Sequence, residues 1–268
     1  MMRTRACGRL WPTLLVSMLS LLTLGITTAS PAGTADDSAP SWMTASAPLS
    51  GTSFRDTPAI GALFSGGANS PGGHFCTASV VHSPKRNLVI TAAHCLGDLS
   101  ASPETITFVP GFRDGKAPYG VWVTARVVVD KSWAAAHDAD HDVAFLVVTP
   151  LSGSRRIEDV TGAERLRTGE LPGIVRVTGY PDSKDRPISC QNQATAFSAR
   201  QMRFVCDGFT AGTSGAPFLA EVSPTTGNGL VVGVIGGYQR GGNTPAISYS
   251  LVFGANVAAL YRTAIALS

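Results

Sequence analysis

Three short stretches carry side chains that could do nucleophilic chemistry together. The first is Gly212-Thr213-Ser214-Gly215-Ala216-Pro217, a serine set among small residues. A serine hydroxyl is a weak nucleophile at neutral pH. It needs a base within hydrogen-bond reach, and donors aimed at the oxyanion that forms when it attacks a carbonyl. A glycine two residues upstream lets the backbone turn tightly and present an N–H to that oxyanion. The N–H groups of Gly212 and Ser214 are therefore the candidate donors. Gly/Ser/Thr clusters also make ordinary turns, so the rest of the chain decides. His94 lies in Thr91-Ala92-Ala93-His94-Cys95, directly after an apolar run. An imidazole can take the serine proton and return it to a leaving amine. Asp142 opens a second apolar run, Asp142-Val143-Ala144-Phe145-Leu146-Val147-Val148. A carboxylate at the mouth of a buried strand can hold a histidine in one tautomer and stabilise its cation. Asp138 and Asp140 share its polar loop and compete for that role, but neither opens the apolar run. His137, Asp138, Asp140, His141 and Asp142 also mimic a metal site. Histidine–carboxylate loops recur by chance, so no metal or other cofactor is expected. His74 and His82 read as surface or barrel-edge residues.

The elements that must position these groups are short strands. Ala59–Phe64, Phe75–Val81, Asn87–Thr91, Thr105–Val109, Val121–Val129 and Asp142–Val148 alternate or run β-branched, with glycine and proline between them. Further strands are expected at Gly173–Gly179, Gln193–Ala199, Gln201–Cys206, Ala216–Ala220, Gly229–Ile235 and Ser248–Phe253. Such punctuation indicates an all-β sandwich or barrel. Between the two sets, residues 151–172 are rich in charge and read as a solvated connection. Val257 to Leu267 has Ala, Leu and Tyr at helical spacing, so a C-terminal helix is expected.

Residues 1–30 have the order of a secretory signal peptide. Arg3, Arg5 and Arg9 precede the mostly apolar run Leu14–Ile26, and small residues follow at Thr27-Thr28-Ala29. A membrane anchor needs about 20 apolar residues, and Ser17, Ser20 and Thr23 interrupt this run. The expected product is secreted, extracellular and free of the membrane after cleavage. Residues 31–53 read as a flexible leader or propeptide, or as an ordered arm packed on the domain. The domain itself spans 54–268, with one half at about 54–150 and the other at 173–268. The formal net charge of +3 is accounted for by the three signal arginines, so nothing suggests nucleic-acid binding. Of five cysteines, Cys7 leaves with the signal; Cys76, Cys95, Cys190 and Cys206 remain. An even number outside the cell suggests disulfides.

Thr-Ala-Ala-His-Cys, Asp-Val-Ala-Phe-Leu and Gly-Thr-Ser-Gly-Ala-Pro, in that order, resemble the three catalytic words of chymotrypsin-like serine peptidases. Val177-Thr178-Gly179-Tyr180-Pro181 is most similar to the bacterial glutamyl endopeptidase branch. The resemblance covers nearly all of residues 54–268. It implies two six-stranded antiparallel Greek-key barrels with the site between them, His94 and Asp142 coming from the first and Ser214 from the second. It implies the bridges Cys76–Cys95 and Cys190–Cys206. It implies a monomeric secreted endopeptidase acting on protein or peptide substrate through an acyl-enzyme. A catalytically inactive binding module on the same fold is the rival reading.

The resemblance also marks the residues expected to touch substrate: Gly208, Thr210, Ile235, Gly236, Gly237 and Tyr238. Trypsin-like members carry an aspartate six positions before the serine, where this chain has Gly208. Asp207 is one residue off and leaves basic specificity open. Ile235 stands where glutamyl endopeptidases carry a histidine, against glutamate specificity. Family zymogens switch on when a new N-terminal amine pairs with an acid just before the serine. Here that residue is Thr213, which has no charge to hold a buried ammonium. The oxyanion loop 211–214 is therefore expected to be ordered without an inserted amine, with the Thr213 hydroxyl bonded locally.

Overall fold

The computed structural model of the protein describes residues 49–53, 57–67, 73–97, 102–169 and 173–268. The expected signal peptide and the leader up to residue 48 lie outside them. The first described strand, β1 (Thr52–Ser53), belongs to the second half of the fold.

Six strands close the first barrel: β2 (Ile60–Phe64), β3 (His74–Val81), β4 (Leu88–Thr91), β5 (Thr107–Pro110), β6 (Trp122–Val129) and β7 (Ala144–Pro150). Their order around the barrel is β2-β3-β4-β7-β6-β5, and every neighbour is antiparallel. The first five residues of β7, Ala144 to Val148, are an unbroken apolar run because they are covered on both faces. One face meets the barrel interior. Against the other packs the helix α3 (Ala255–Leu267), whose Val257, Leu260 and Ala264 join the first-barrel core. The Tyr261 ring lies 5.6 Å from that of Phe145.

The second half is built on β9 (Ile174–Gly179), β10 (Ile188–Ala196), β11 (Gln201–Val205), β12 (Pro217–Ala220), β13 (Leu230–Val234) and β14 (Ile247–Leu251), in the order β14-β11-β10-β9-β12-β13. The ends of this six-strand sheet meet through single bonds rather than a ladder. The Gly236 N–H donates to Tyr249 O at 3.0 Å, and the Val234 N–H donates to Ser250 Oγ at 3.0 Å. Two short strands are added at the margins. β8 (Arg165–Leu166) runs parallel to β13, and β1 pairs antiparallel with β10. Residues 49–53, placed by sequence in the leader, are thus held to the sheet; the Asp207 N–H also donates to Leu49 O at 2.8 Å.

Two helices escape the sequence reading. In α1 (Lys131–Ala136) the Asp130 side chain accepts from the Ser132 N–H, and His137 ends the helix in the left-handed region. The second is α2 (Ile157–Thr161), in the charged connection. That connection is not uniformly solvated, for Glu164 is completely buried. Its backbone joins the edge of β3, with the His82 N–H donating to Glu164 O at 2.8 Å. Its carboxylate accepts from the Gly229 N–H, and burial pushes its pKa up to about 8. His74 is likewise buried, packed against Phe64, Phe112 and Tyr180 at the start of β3, which holds its pKa below the usual value. Both expected disulfides are present, Cys76–Cys95 in the first half and Cys190–Cys206 in the second. Among the described residues no helix is long and apolar enough to cross a membrane.

Candidate active site

His94 sits on a single 3₁₀ turn, Ala93–Cys95, entered directly from β4. Ala93 and Cys95 are buried on either side of it, and the bridge to Cys76 ties the turn to β3. Asp142 leaves another 3₁₀ turn, Ala139–His141, just before β7, and is fully buried. A buried carboxylate must find donors, and this one has three. Oδ1 accepts the His94 backbone N–H at 2.8 Å. Oδ2 lies 2.7 Å from His94 Nδ1 and accepts the Gly237 N–H at 2.8 Å. An ionised carboxylate at Nδ1 keeps the ring proton there, so Nε2 is left with its lone pair.

The competing acids are otherwise engaged. Asp138 Oδ1 accepts the Asp140 N–H at 3.0 Å. The Asp140 carboxylate takes Gln201 Nε2 at 2.7 Å and Arg200 Nη1 at 3.2 Å, and Asp140 O takes Asn256 Nδ2 of α3 at 3.0 Å. His141 Nδ1 lies 3.0 Å from Asp130. Gln201 was invisible as a site residue in the sequence. Its buried amide also accepts the Tyr238 N–H at 3.0 Å, so it ties the Asp142 loop to the segment after β13.

The Ser214 loop requires glycine at two positions. Gly212 has φ +88° and Gly215 φ +81°, both in the left-handed region. A side chain at Gly212 would collide with the backbone of Tyr180 and Asp182, and one at Gly215 with Thr77 O and Thr91 Oγ1. The Thr213 hydroxyl donates to Thr210 O at 2.7 Å, the local bond expected from its replacing an acid. The N–H groups of Thr213, Gly215 and Ala216 donate to Thr210 O, Ile235 O and Thr213 O. Among the described residues those of Gly212 and Ser214 have no acceptor. Two uncommitted donors, one on the serine itself and one two residues before it, are what an oxyanion site needs.

Beside Ser214 lies a cavity of about 280 Å³, lined by Phe209, Thr210, Ala211, Thr213, Ile235 and residues 240–245. Thr210 and Ile235 are among its lining residues. Gly208 is not; it faces Ile188 and Gly51. Asp207 is also off the wall. The N–H groups of Gly236, Gly237 and Tyr238 are all donated inside the protein, to Tyr249 O, Asp142 Oδ2 and Gln201 Oε1. Substrate backbone would meet only acceptors there. On the other side of His94 is a cavity of about 450 Å³ walled by Trp133, His137, Val129 and Leu96. Arg240 borders both cavities. It follows Gln239, and both have positive φ. Neither Trp133 nor Arg240 carried a sequence signal, since each reaches the site by a chain reversal.

A double-barrel β fold with a buried His–Asp pair and a glycine-flanked serine defines a serine-peptidase architecture. Residues 76–234 match the trypsin-like peptidase domain, and the chain belongs to that family. Among solved structures it is similar to the protease Anisep from Arthrobacter nicotinovorans, with 26% identity, a TM-score of 0.67, and 81% of this chain and 99% of that chain covered. It is also similar to a thermostable serine protease, AL20, from an extremophilic microorganism, with 25% identity, a TM-score of 0.65, and 79% and 99% covered. A Glu endopeptidase shares the fold at 19% identity, with a TM-score of 0.64 and 82% and 98% covered. No curated protein matches the chain by sequence. The protein is a serine-type endopeptidase, and its substrate is protein.

Proposed function

We propose that Ser214 attacks the scissile carbonyl while His94 Nε2 takes its proton. Asp142 holds the imidazole tautomer and stabilises the imidazolium that forms. The N–H groups of Gly212 and Ser214 receive the oxyanion. His94 then returns the proton to the leaving amine, and water hydrolyses the Ser214 acyl-enzyme by the same steps. The observation that carries this reading is the Asp142 carboxylate, buried and bonded to both the backbone and the ring of His94. It fixes the base at both ends of the residue. The signal-peptide order of residues 1–30, together with two disulfides, supports secretion into an oxidising compartment.

The cavity beside Ser214 has no carboxylate in its lining and has Arg240 on its rim. A lysine or arginine side chain would find no counter-charge there, so cleavage after basic residues is disfavoured.

A fluorophosphonate probe tests the assignment. Wild-type protein should be labelled at Ser214 and should hydrolyse casein. Folded Ser214→Ala protein should do neither. Ordinary turnover by Ser214→Ala sinks the mechanism, and a folded wild type that neither labels nor hydrolyses favours the binding-module reading.

A further inference from the structure

We propose that Thr77, in the first barrel, is the positioning residue that holds the oxyanion loop of the second half in its working conformation. The inference rests on the mechanism proposed above.

In a trans peptide unit the C=O and N–H point in opposite directions, so fixing the carbonyl aims the N–H. The Gly212 N–H shares a peptide with Ala211 O, which accepts the Asp182 N–H at 2.9 Å. The Ser214 N–H shares one with Thr213 O, which accepts the Ala216 N–H at 3.0 Å. Between them lies the peptide joining Gly212 to Thr213. Its carbonyl is held by the Thr77 hydroxyl, with Oγ1 donating to Gly212 O at 2.9 Å. The same hydroxyl accepts the Tyr180 N–H at 2.9 Å, so its proton is committed to Gly212. The Thr77 N–H donates to Ser214 O at 2.7 Å, and Thr77 O accepts Thr91 Oγ1 at 2.8 Å. Thr77 is completely buried.

One residue of β3 therefore restrains the carbonyls of both oxyanion-donor residues. The other bonds made by these peptide groups are backbone to backbone, and the Thr213 hydroxyl bonds Thr210 O within the loop; the Thr77 hydroxyl is the side-chain restraint that reaches the loop from the first barrel. It does the ordering that an inserted amine would do, from a fixed strand. Gly212, with φ +88° and no Cβ, has little intrinsic preference for this conformation. Without the hydroxyl the central peptide keeps only the Thr213 N–H bond to Thr210 O at 3.1 Å, its carbonyl end is released, and the donors on either side lose part of their common aim. A buried Gly212 carbonyl left without a donor adds to the drive to rotate.

The test compares Thr77→Val, which keeps shape and loses the hydroxyl, with Thr77→Ser, which keeps the hydroxyl. Each is assayed in the full secreted protein, with active sites titrated by the fluorophosphonate and folding followed by circular dichroism. The expected result for Thr77→Val is a fall in kcat per titrated site of about 10–10²-fold, approaching the loss of one oxyanion donor, with KM little changed. Affinity for a peptide aldehyde should fall in parallel, and Thr77→Ser should recover to within threefold of wild type. A purely structural role would lower Tm and the number of titratable sites but leave kcat per site alone. A loss below fivefold in Thr77→Val, or equal losses in Val and Ser, overturns the proposal. Should Thr77→Val not fold, Thr77→Ala is read against Thr77→Ser by the same criteria. Wild type and Ser214→Ala run alongside. Failure of the serine mechanism shows there, independently of any Thr77 result.

Discussion

The two halves of the molecule solve the same closure problem differently. The first barrel is closed by ladders between all six strands. The second closes through two isolated bonds, from Gly236 to Tyr249 and from Val234 to Ser250. The difference follows the division of labour. The fully laddered half carries the base and the acid, whose relative placement within 2.7–2.8 Å must not drift. The loosely seamed half carries the serine loop and the cavity beside it, and Ile235 next to the seam borders both. A ladder there would consume the backbone and the space that substrate needs. Side chains then substitute for ladder bonds: Ser250 at the seam, Gln201 behind the Asp142 loop, and Thr77 across to the serine.

If the first half acts as the fixed frame, its acid should show the largest single effect. Asp142→Asn should lower kcat by about 10⁴, with the fold intact by circular dichroism. A small loss there and a large one at Asp138 or Asp140 would assign the acid wrongly. Next comes a place where the second half packs directly on the first. Gly215→Ala puts a side chain into Thr77 O and Thr91 Oγ1 at a positive φ. It should cost about 10²-fold in kcat/KM through displacement of the serine, besides lowering Tm.

The junction between the halves should respond to pH. Glu164 has a folded pKa of about 8 against an ordinary 4.5, so the folded state holds the proton more tightly. Its contribution is fully present below about pH 4.5 and is lost as pH rises towards about 8. Each pKa unit is worth about 1.4 kcal/mol, so the loss is at most a few kcal/mol. Glu164→Gln mimics the protonated acid and should flatten that decline in urea-melt stability. An unchanged slope would show that the carboxylate is solvated. His74, whose pKa burial lowers, acts in the opposite sense: its contribution is complete above about 6.5 and fades as pH falls below it.

The smallest effect separates the two bridges. They span 19 and 16 residues, so removing either pair should cost a similar ~3 kcal/mol. Activity should distinguish them. Cys76 precedes Thr77 and Cys95 follows His94, so the first bridge clamps the oxyanion support to the base. Replacing that pair by alanine should lower kcat/KM by about tenfold more than replacing Cys190 and Cys206. Equal activity losses would mean that the ladders alone hold the frame.

Much of this was legible in the sequence because it rests on local words. The His94, Asp142 and Ser214 stretches, most strand positions and helix α3 follow from residue type and period; the strand expected at Gln193–Ala199 instead runs Ile188–Ala196, and the two-residue strands β1 and β8 are too short to show an alternation. The two bridges followed from family likeness. What was hidden depends on contacts across the chain. Glu164 sits in a charge run, and only the docking of its backbone on β3 shows that it is buried. Gly208 was counted back from Ser214, but the intervening loop swings it toward Ile188 and Gly51. Helix α1 spans six residues, too few for a period to show. Gln201 and Arg240 acquire meaning only once loops sixty or more residues apart are folded together.

Helix α3 sets an order of events during synthesis. Val257, Leu260 and Ala264 complete the core of the first barrel, the Tyr261 hydroxyl donates to His82 O, and Asn256 holds the carbonyl of Asp140. Until the helix is made, the first barrel has one flank uncovered and the Asp140 carbonyl lacks its Asn256 donor. Both wait more than a hundred residues for the helix to arrive. A nascent or truncated chain that has passed Ser214 but not Asn256 carries every reactive group and lacks the helix that covers the flank of the first barrel.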